Sequence, residues 1–269
     1  MGNGMEITQR STVHTLAKAG LISKGIVYII LGALAFMAAF EIGGQSSSDT
    51  NRSGVLSSLR SMPAGKVLLL IVTAGLLCYC VWRIVQAFHV HEDDSRKKWG
   101  KRARYIFSCL AYLSLAFTAL QVVLYNKENN GDTNQHWAAK IMSQPFGQWL
   151  LGIGALILAG VGIYQIWYGL SEKYKKHVES NRQHAGVTSQ LLVAGKIGYV
   201  ARGIVWLLLA YMGFKAAVDS NPKEAGDTGK AFQFLESWSA GSLLLGALAL
   251  GLIAYGIFNF IRARFETFR

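Results

Sequence analysis

Charge is scarce in this sequence and unevenly placed. Charged residues make up 16% of 269, against about 25% in a soluble domain. Six long apolar runs contain no aspartate and no glutamate; Glu41 stands at the outer edge of the first. Proton- and sodium-coupled carriers place carboxylates at mid-membrane, so that class is disfavoured. No histidine falls inside these runs, which argues against haem held there by paired axial histidines. The three cysteines, Cys78, Cys80 and Cys109, are odd in number and all lie in apolar runs. Cys-x-Cys is no zinc spacing, and small buried side chains are their expected role. No Ser-His-Asp set or Walker loop occurs. Gly152-Ile153-Gly154 lacks the third glycine and the preceding strand of a dinucleotide-binding turn. His89-Val90-His91-Glu92-Asp93-Asp94 reads as solvated loop, because His at i and i+2 do not share a helix face. Neither an enzyme, a cofactor nor a metal centre is expected.

What is there is apolar. Hydrophobic residues are 52% of the chain, gathered into runs near 18–40, 66–88, 104–125, 148–170, 195–218 and 242–263. Each is roughly 20 residues, the length of a helix across a hydrocarbon core of about 30 Å. Backbone polar groups in lipid must be satisfied internally, so these read as helices. The first run is too long for a cleavable signal, and Ala38-Ala39-Phe40-Glu41 is a poor cleavage site. The expected fold is all-α: a polytopic membrane protein with six transmembrane helices.

Net charge is +12, and its distribution fixes an orientation. Segments 1–24, 83–104, 171–202 and 262–269 hold 19 of the 27 Lys and Arg and seven of the 15 acids. The remaining residues are neutral overall, with eight of each sign. The excess falls on alternate sides of successive runs, as the positive-inside rule requires, so both termini are expected in the cytoplasm. A nucleic-acid partner is not.

The chain repeats itself. Gly75…Tyr79…Trp82, Gly160…Tyr164…Trp167 and Gly251…Tyr255…Phe258 share the pattern Gly-x-x-x-Tyr-x-x-aromatic on even-numbered runs. On odd-numbered runs Gly20, Lys24, Gly25 and Tyr28 correspond to Gly198, Arg202, Gly203 and Trp206, and more loosely to Tyr105, Ser108, Cys109 and Tyr112. The expected organisation is a tail (1–17), then three helical hairpins at 18–90, 91–174 and 190–269. The second carries cytoplasmic linkers. Residues 41–53 read as exposed loop. Before each even run, apolar residues recur at about period three: Leu56, Leu59, Met62; Ala138, Ile141; Phe232, Leu235, Trp238. These predict short helices on the outer interface. Pro63-Ala64-Gly65 and Pro145-Phe146-Gly147 follow the first two, with Pro expected in the first turn of the next span; Ser239-Ala240-Gly241 is the degenerate third copy. Gly20/Gly25, Gly198/Gly203, Gly246/Gly251 and Gly152/Gly154 are expected where helices approach closely. Three hairpins entering in one direction imply a pseudo-threefold axis along the membrane normal.

Tyr199-Val200-Ala201-Arg202-Gly203 with Val205, Gln144-Pro145-Phe146-Gly147-Gln148-Trp149-Leu150, and Gly75…Tyr79…Trp82-Arg83 resemble the bacterial DUF 1206 family. The resemblance covers nearly the whole chain. It implies a membrane protein of three tandem two-helix domains, hence the bacterial inner membrane, and implies no activity. The third Pro-Phe-Gly is absent here, and Lys24 stands where the last repeat has Arg202.

The candidate site follows from the orientation. Lys24, Arg83 and Arg202 fall at one level just inside the cytoplasmic face, with Tyr28, Tyr79, Trp82 and Trp206. Snorkelling cations in an aromatic belt is one reading. The other is a basic pocket for an anionic lipid head group or a small anion. Gln86, Gln121, Gln165 and Asn259 are the remaining polar candidates, either bonding across helices or lining a polar path. The leading expectation for function is a permeation pathway for an ion or small solute. The alternative is a lipid- or partner-binding scaffold with membrane lipids, a second copy or another membrane protein as partner.

Overall fold

The computed structural model describes residues 2–42, 50, 65–88, 95–125, 133–175 and 189–265. The helices are α1 (Gly2–Ala39), α2 (Gly65–Phe88), α3 (Ser95–Tyr125), α4 (Thr133–Met142), α5 (Gly147–Leu170), α6 (Ser189–Val218), α7 (Thr228–Glu236) and α8 (Gly241–Phe265). A 3-10 turn, Pro222–Glu224, precedes α7, and no strand occurs among the described residues. Five helices carry segments long and apolar enough to cross a membrane: Ala17–Ala39, Gly65–Phe88, Gly147–Leu170, Leu192–Val218 and Gly241–Phe265. The apolar part of α3, Ser108–Gln121, falls short of the roughly 20 residues a span needs. Large apolar side chains stand exposed along these helices, among them Ile71, Leu156, Ile163 and Leu243. A water-soluble surface does not carry such a belt, and the protein is a multi-helix membrane protein.

Several expected boundaries move. α1 starts at Gly2, so most of the anticipated tail continues the first helix. α3 starts at Ser95, which puts the basic run from Arg96 to Arg102 on its first turns rather than in a linker. Arg102 Nε there donates to the Ala87 carbonyl at the end of α2, at 3.1 Å. Pro145 precedes α5 instead of entering its first turn, and Phe146 caps that helix with φ 62°. Gly147 and Gly241 then bring the helix starts so close to Ile141 and Glu236 that a Cβ would collide with their carbonyls. The first amphipathic stretch (Leu56, Leu59, Met62), most of loop 41–53, Pro63-Ala64 and the His89–Asp94 stretch lie outside the described residues. The other two form α4 and α7. α7 does not simply rest on an interface: Phe232 and Leu235 enter the main apolar core with Leu31, Leu69, Leu115 and Leu248, while Trp238 is exposed.

The spans pack through small residues, as helices in lipid must when apolar burial gives no net drive between them. The broad interfaces are α2 with α3, α5 with α6, α8 with α1, α1 with α2, and α6 with α8. The first three join successive repeats in one way. A Cβ on Gly25 would meet the Gly256 carbonyl oxygen at 3.0 Å, and one on Gly256 the Gly25 oxygen at 2.8 Å. Gly162 and Gly203 stand in the same reciprocal relation, at 2.9 and 2.8 Å. In the remaining case Cys80 Sγ donates to the Cys109 carbonyl at 3.5 Å. Cys80, Gly162 and Gly256 each lie fifteen residues beyond the first glycine of their helix (65 to 80, 147 to 162, 241 to 256).

This register corrects the repeat motif in α5. Gly162, not Gly160, is the contact glycine, so Tyr164 stands with Trp82 and Phe258, and Val161 stands with Tyr79 and Tyr255. Accordingly Gly160 has open space around it and Tyr164 and Trp167 are each 47% exposed. Gly152 and Gly154 likewise bring no helix close: a Cβ on Gly152 would first meet Ala217 at 3.9 Å, and one on Gly154 nothing within 4 Å.

Candidate functional site: a cation–tyrosine centre

Lys24 lies seven residues into the apolar part of α1 (17 to 24), with its side chain 4% exposed. It does not snorkel out. Its Nζ is directed to three rings, 5.0 Å from the centroid of Tyr255, 5.5 Å from Tyr112 and 6.0 Å from Tyr79. These come from α8, α3 and α2, so four helices meet at one ammonium group. A ring face carries partial negative charge and holds a cation most strongly where water is excluded.

Arg202, at the same repeat position on α6, reaches the same place. Its Nη1 donates to the Tyr255 hydroxyl at 2.6 Å. Its guanidinium carbon lies 5.1 Å from the Tyr255 ring and 5.6 Å from Tyr28. Tyr28 packs edge-on against Tyr255, and Tyr79 against Tyr112, each with centroids 4.8 Å apart. Arg202 Nε is buried and has no hydrogen-bond partner among the described residues. No carboxylate occurs in any of the six apolar runs to neutralise these charges.

Arg83 forms a flank of the centre. Its Nη2 donates to the Tyr79 hydroxyl and its Nη1 to Gln86 Oε1 at 2.8 Å. The guanidinium stacks over Tyr79 at 4.7 Å and Tyr105 at 5.4 Å. Tyr79 therefore separates Arg83 from Lys24.

Lys24, Arg202, Tyr28 and Tyr79 converge as the spacing implies. Trp82 is buried in an apolar cluster with Ala17, Leu21, Ala263 and Tyr79, against which Tyr112 also packs, so it backs two of the rings that face Lys24. Trp206 is only partly buried and is not one of the rings facing the two cations. The polar candidates do not form a common lining. Gln86 serves Arg83, and Gln121 is partly buried on α3. Gln165 and Asn259 are buried with Oε1 and Oδ1 unpartnered among the described residues. Asn259 Nδ2 bonds its own helix at Tyr255 O, 2.7 Å away, rather than crossing to a neighbour. The register found in α5 puts Arg83, Gln165 and Asn259 at one repeat position. Tyr112 and Tyr255 were missing from the expected site. Their signal was the repeat itself: Tyr112 occupies the place of Tyr28, and Tyr255 that of Tyr79.

The fold and the centre define a class: an all-helical membrane protein built by repetition, with cations held among tyrosines. Residues 19–89, 103–172 and 197–266 match the family described as Domain of Unknown Function (DUF1206), and the chain belongs to that family. It is 30% identical over 256 residues to the uncharacterized protein YxxB of Bacillus subtilis (strain 168), spanning 94% of this chain and 91% of that protein. No solved structure matches.

Proposed function

We propose that this is a non-enzymatic inner-membrane protein that captures an anion at the Lys24–Arg202 centre. The observation that carries the reading is Arg202. It sits deep in an apolar helix, converges with Lys24 on the Tyr255 ring, and has a buried Nε with no hydrogen-bond partner among the described residues. A guanidinium whose buried Nε is left unsatisfied is costly, and an oxyanion offers acceptors in the geometry of its fork. Tyrosine hydroxyls can donate to the same anion.

The centre is one station on a permeation path for a small anion in the first version of this reading. In the second it holds a lipid head group, and the protein is a scaffold for lipids, a second copy or another membrane protein. The enclosure of Lys24 favours capture over free passage. We place α3 in the membrane as a sixth span, because its Tyr112 shares the level of the centre. We also place the termini and the basic rim on the cytoplasmic side, with the hairpins around an approximate threefold axis broken at the second repeat.

Thermal stability of the purified protein in neutral detergent tests the reading when phosphate or an anionic lipid is titrated in. The wild type should rise in melting temperature with one of them, and Arg202→Gln should not. Equal responses of both proteins to every anion would remove the proposal. Flux of labelled phosphate or chloride through proteoliposomes separates the versions: a path gives flux that Arg202→Gln changes, a scaffold gives none.

A further inference from the structure

Among the described residues the second repeat does not close on itself, and its sequence departs from the other two at the contact positions. In the first repeat Gly20 lies against Tyr79 and Gly75 against Ser23; in the third Gly198 lies against Tyr255 and Gly251 against Ala201. There is no room for a larger side chain: a Cβ on Gly198 would stand 2.5 Å from the Tyr255 backbone. The corresponding positions of the second repeat are Arg104 and Phe107 on α3, and Ile157 and Val161 on α5. Arginine replaces the glycine, and phenylalanine and isoleucine fall where the other repeats match a small residue with glycine. Ile157 is 59% exposed, whereas Gly75 and Gly251 are buried. Among the described residues α3 and α5 form no broad interface, unlike the other two hairpins. The helices pack in the order α3-α2-α1-α8-α6-α5, and the two ends, α3 and α5, share no broad interface among the described residues, which leaves a seam unsealed.

That seam runs beside the cation centre. On its α3 wall the Tyr112 ring lies 5.5 Å from Lys24 Nζ. α5 in turn is packed onto α6 through Gly162 and Ile166 against Gly203, the neighbour of Arg202. α5 is otherwise apolar and exposed at Ile153, Leu156 and Ile157, with open space at Gly154. A soluble anion reaching Lys24 would need an aqueous route to a side chain that is 4% exposed. A purely apolar occupant would fill the seam and leave Arg202 Nε as it is.

We infer that the seam is a lateral portal for an anionic phospholipid, whose phosphate meets Arg202 and Lys24 while its acyl chains lie between α3 and α5. This rests on the anion-capture reading and specifies its ligand. The head supplies the negative charge that the apolar runs lack, and a phosphodiester suits a guanidinium fork. The chains stay in surroundings as apolar as the bilayer they leave.

The test uses the full chain in nanodiscs of phosphatidylcholine doped with phosphatidylglycerol, read by native mass spectrometry after transfer to detergent. Wild type should retain phosphatidylglycerol over phosphatidylcholine, and Arg202→Gln should lose that preference. Gly154→Leu combined with Ile157→Trp narrows the seam and leaves the centre intact. It should slow exchange of bound phosphatidylglycerol for a labelled copy without altering the response of melting temperature to inorganic phosphate. If wild type responds to inorganic phosphate through Arg202 yet retains no phosphatidylglycerol, the centre stands and the portal is wrong. Unchanged exchange in a folded seam variant also overturns the portal. If neither lipid nor phosphate distinguishes wild type from Arg202→Gln, the anion-capture reading fails and takes this inference with it.

Discussion

Lys24 of α1 and Arg202 of α6 stand against one tyrosine: the Lys24 ammonium is 5.0 Å and the Arg202 guanidinium carbon 5.1 Å from the Tyr255 ring. Two cations share one ring because the first and third repeats bring equivalent helix positions to the same place. The ring is more than a spacer, since its hydroxyl also accepts from Arg202.

Removing that hydroxyl isolates its contribution. Tyr255→Phe keeps the ring and deletes the acceptor of a partly buried charged donor, a loss of about 1.5–3 kcal/mol. Denaturant titration in detergent should show it. Tyr164→Phe, at an exposed ring on α5, should stay within about 0.5 kcal/mol of wild type. Equal stability of Tyr255→Phe and wild type would mean that Arg202 finds another acceptor.

The close helix contacts give a second test. Gly256→Val and Gly203→Val force apart the α1–α8 and α5–α6 pairs, where the facing carbonyls leave 2.8 Å for a Cβ. Overpacking of this kind costs typically about 1–3 kcal/mol. Gly154→Ala should be neutral or slightly stabilising, because space is open there and alanine favours the helix. Urea-induced loss of far-ultraviolet ellipticity, or thermal aggregation in detergent, ranks the three; a Gly154→Ala protein as damaged as the valines would contradict the packing.

The α2–α3 contact carries its own probe. Cys80 is buried with its sulfur on the Cys109 carbonyl, while Cys78, two residues away, points elsewhere. An added copper–phenanthroline oxidant should therefore link Cys80 to Cys109 within one chain. Peptide mass mapping would show that link, and finding Cys78 in the linked peptide instead would reverse the assigned face of α2.

Outside the spans, Glu172 meets Lys175 at 2.5 Å and Lys196 at 3.6 Å, joining the end of α5 to α6. The hydrogen bond from Lys175 holds its carboxyl below the usual carboxylate range, with both lysine charges adding to the effect. A lowered value in the folded state gives stability that is present above the ordinary carboxylate pKa of about 4.3. It is lost as pH falls through the lowered value. Melting temperatures of wild type and Glu172→Gln should differ slightly at neutral pH and converge in acid. A gap that widens in acid would contradict this sign.

Much of the helical frame was legible from the sequence, because apolar runs of span length leave few alternatives. The register of α5 was not. Gly154, Gly160 and Gly162 all fit a glycine motif, and only the facing carbonyl of Gly203 selects Gly162. The extension of α1 to Gly2 and the early start of α3 were hidden for another reason: polarity marks the end of an apolar run, not the end of a helix. In the site, Lys24, Arg202, Tyr28 and Tyr79 were legible because charge in an apolar run demands a partner. Tyr112 escaped because its repeat has Ser108 in place of the cation. Trp82 packs with Tyr79 behind the centre, whereas Trp206 does not face the two cations, because sharing a level along the bundle is not sharing a face.

A density map of the protein in phosphatidylglycerol nanodiscs, at a resolution that shows side chains, tests the central claim most directly. Non-protein density the size of a phosphate, within hydrogen-bond reach of Arg202 Nε and facing Lys24, is the predicted result. A centre empty of such density, with Arg202 Nε bonded to protein groups, would contradict it.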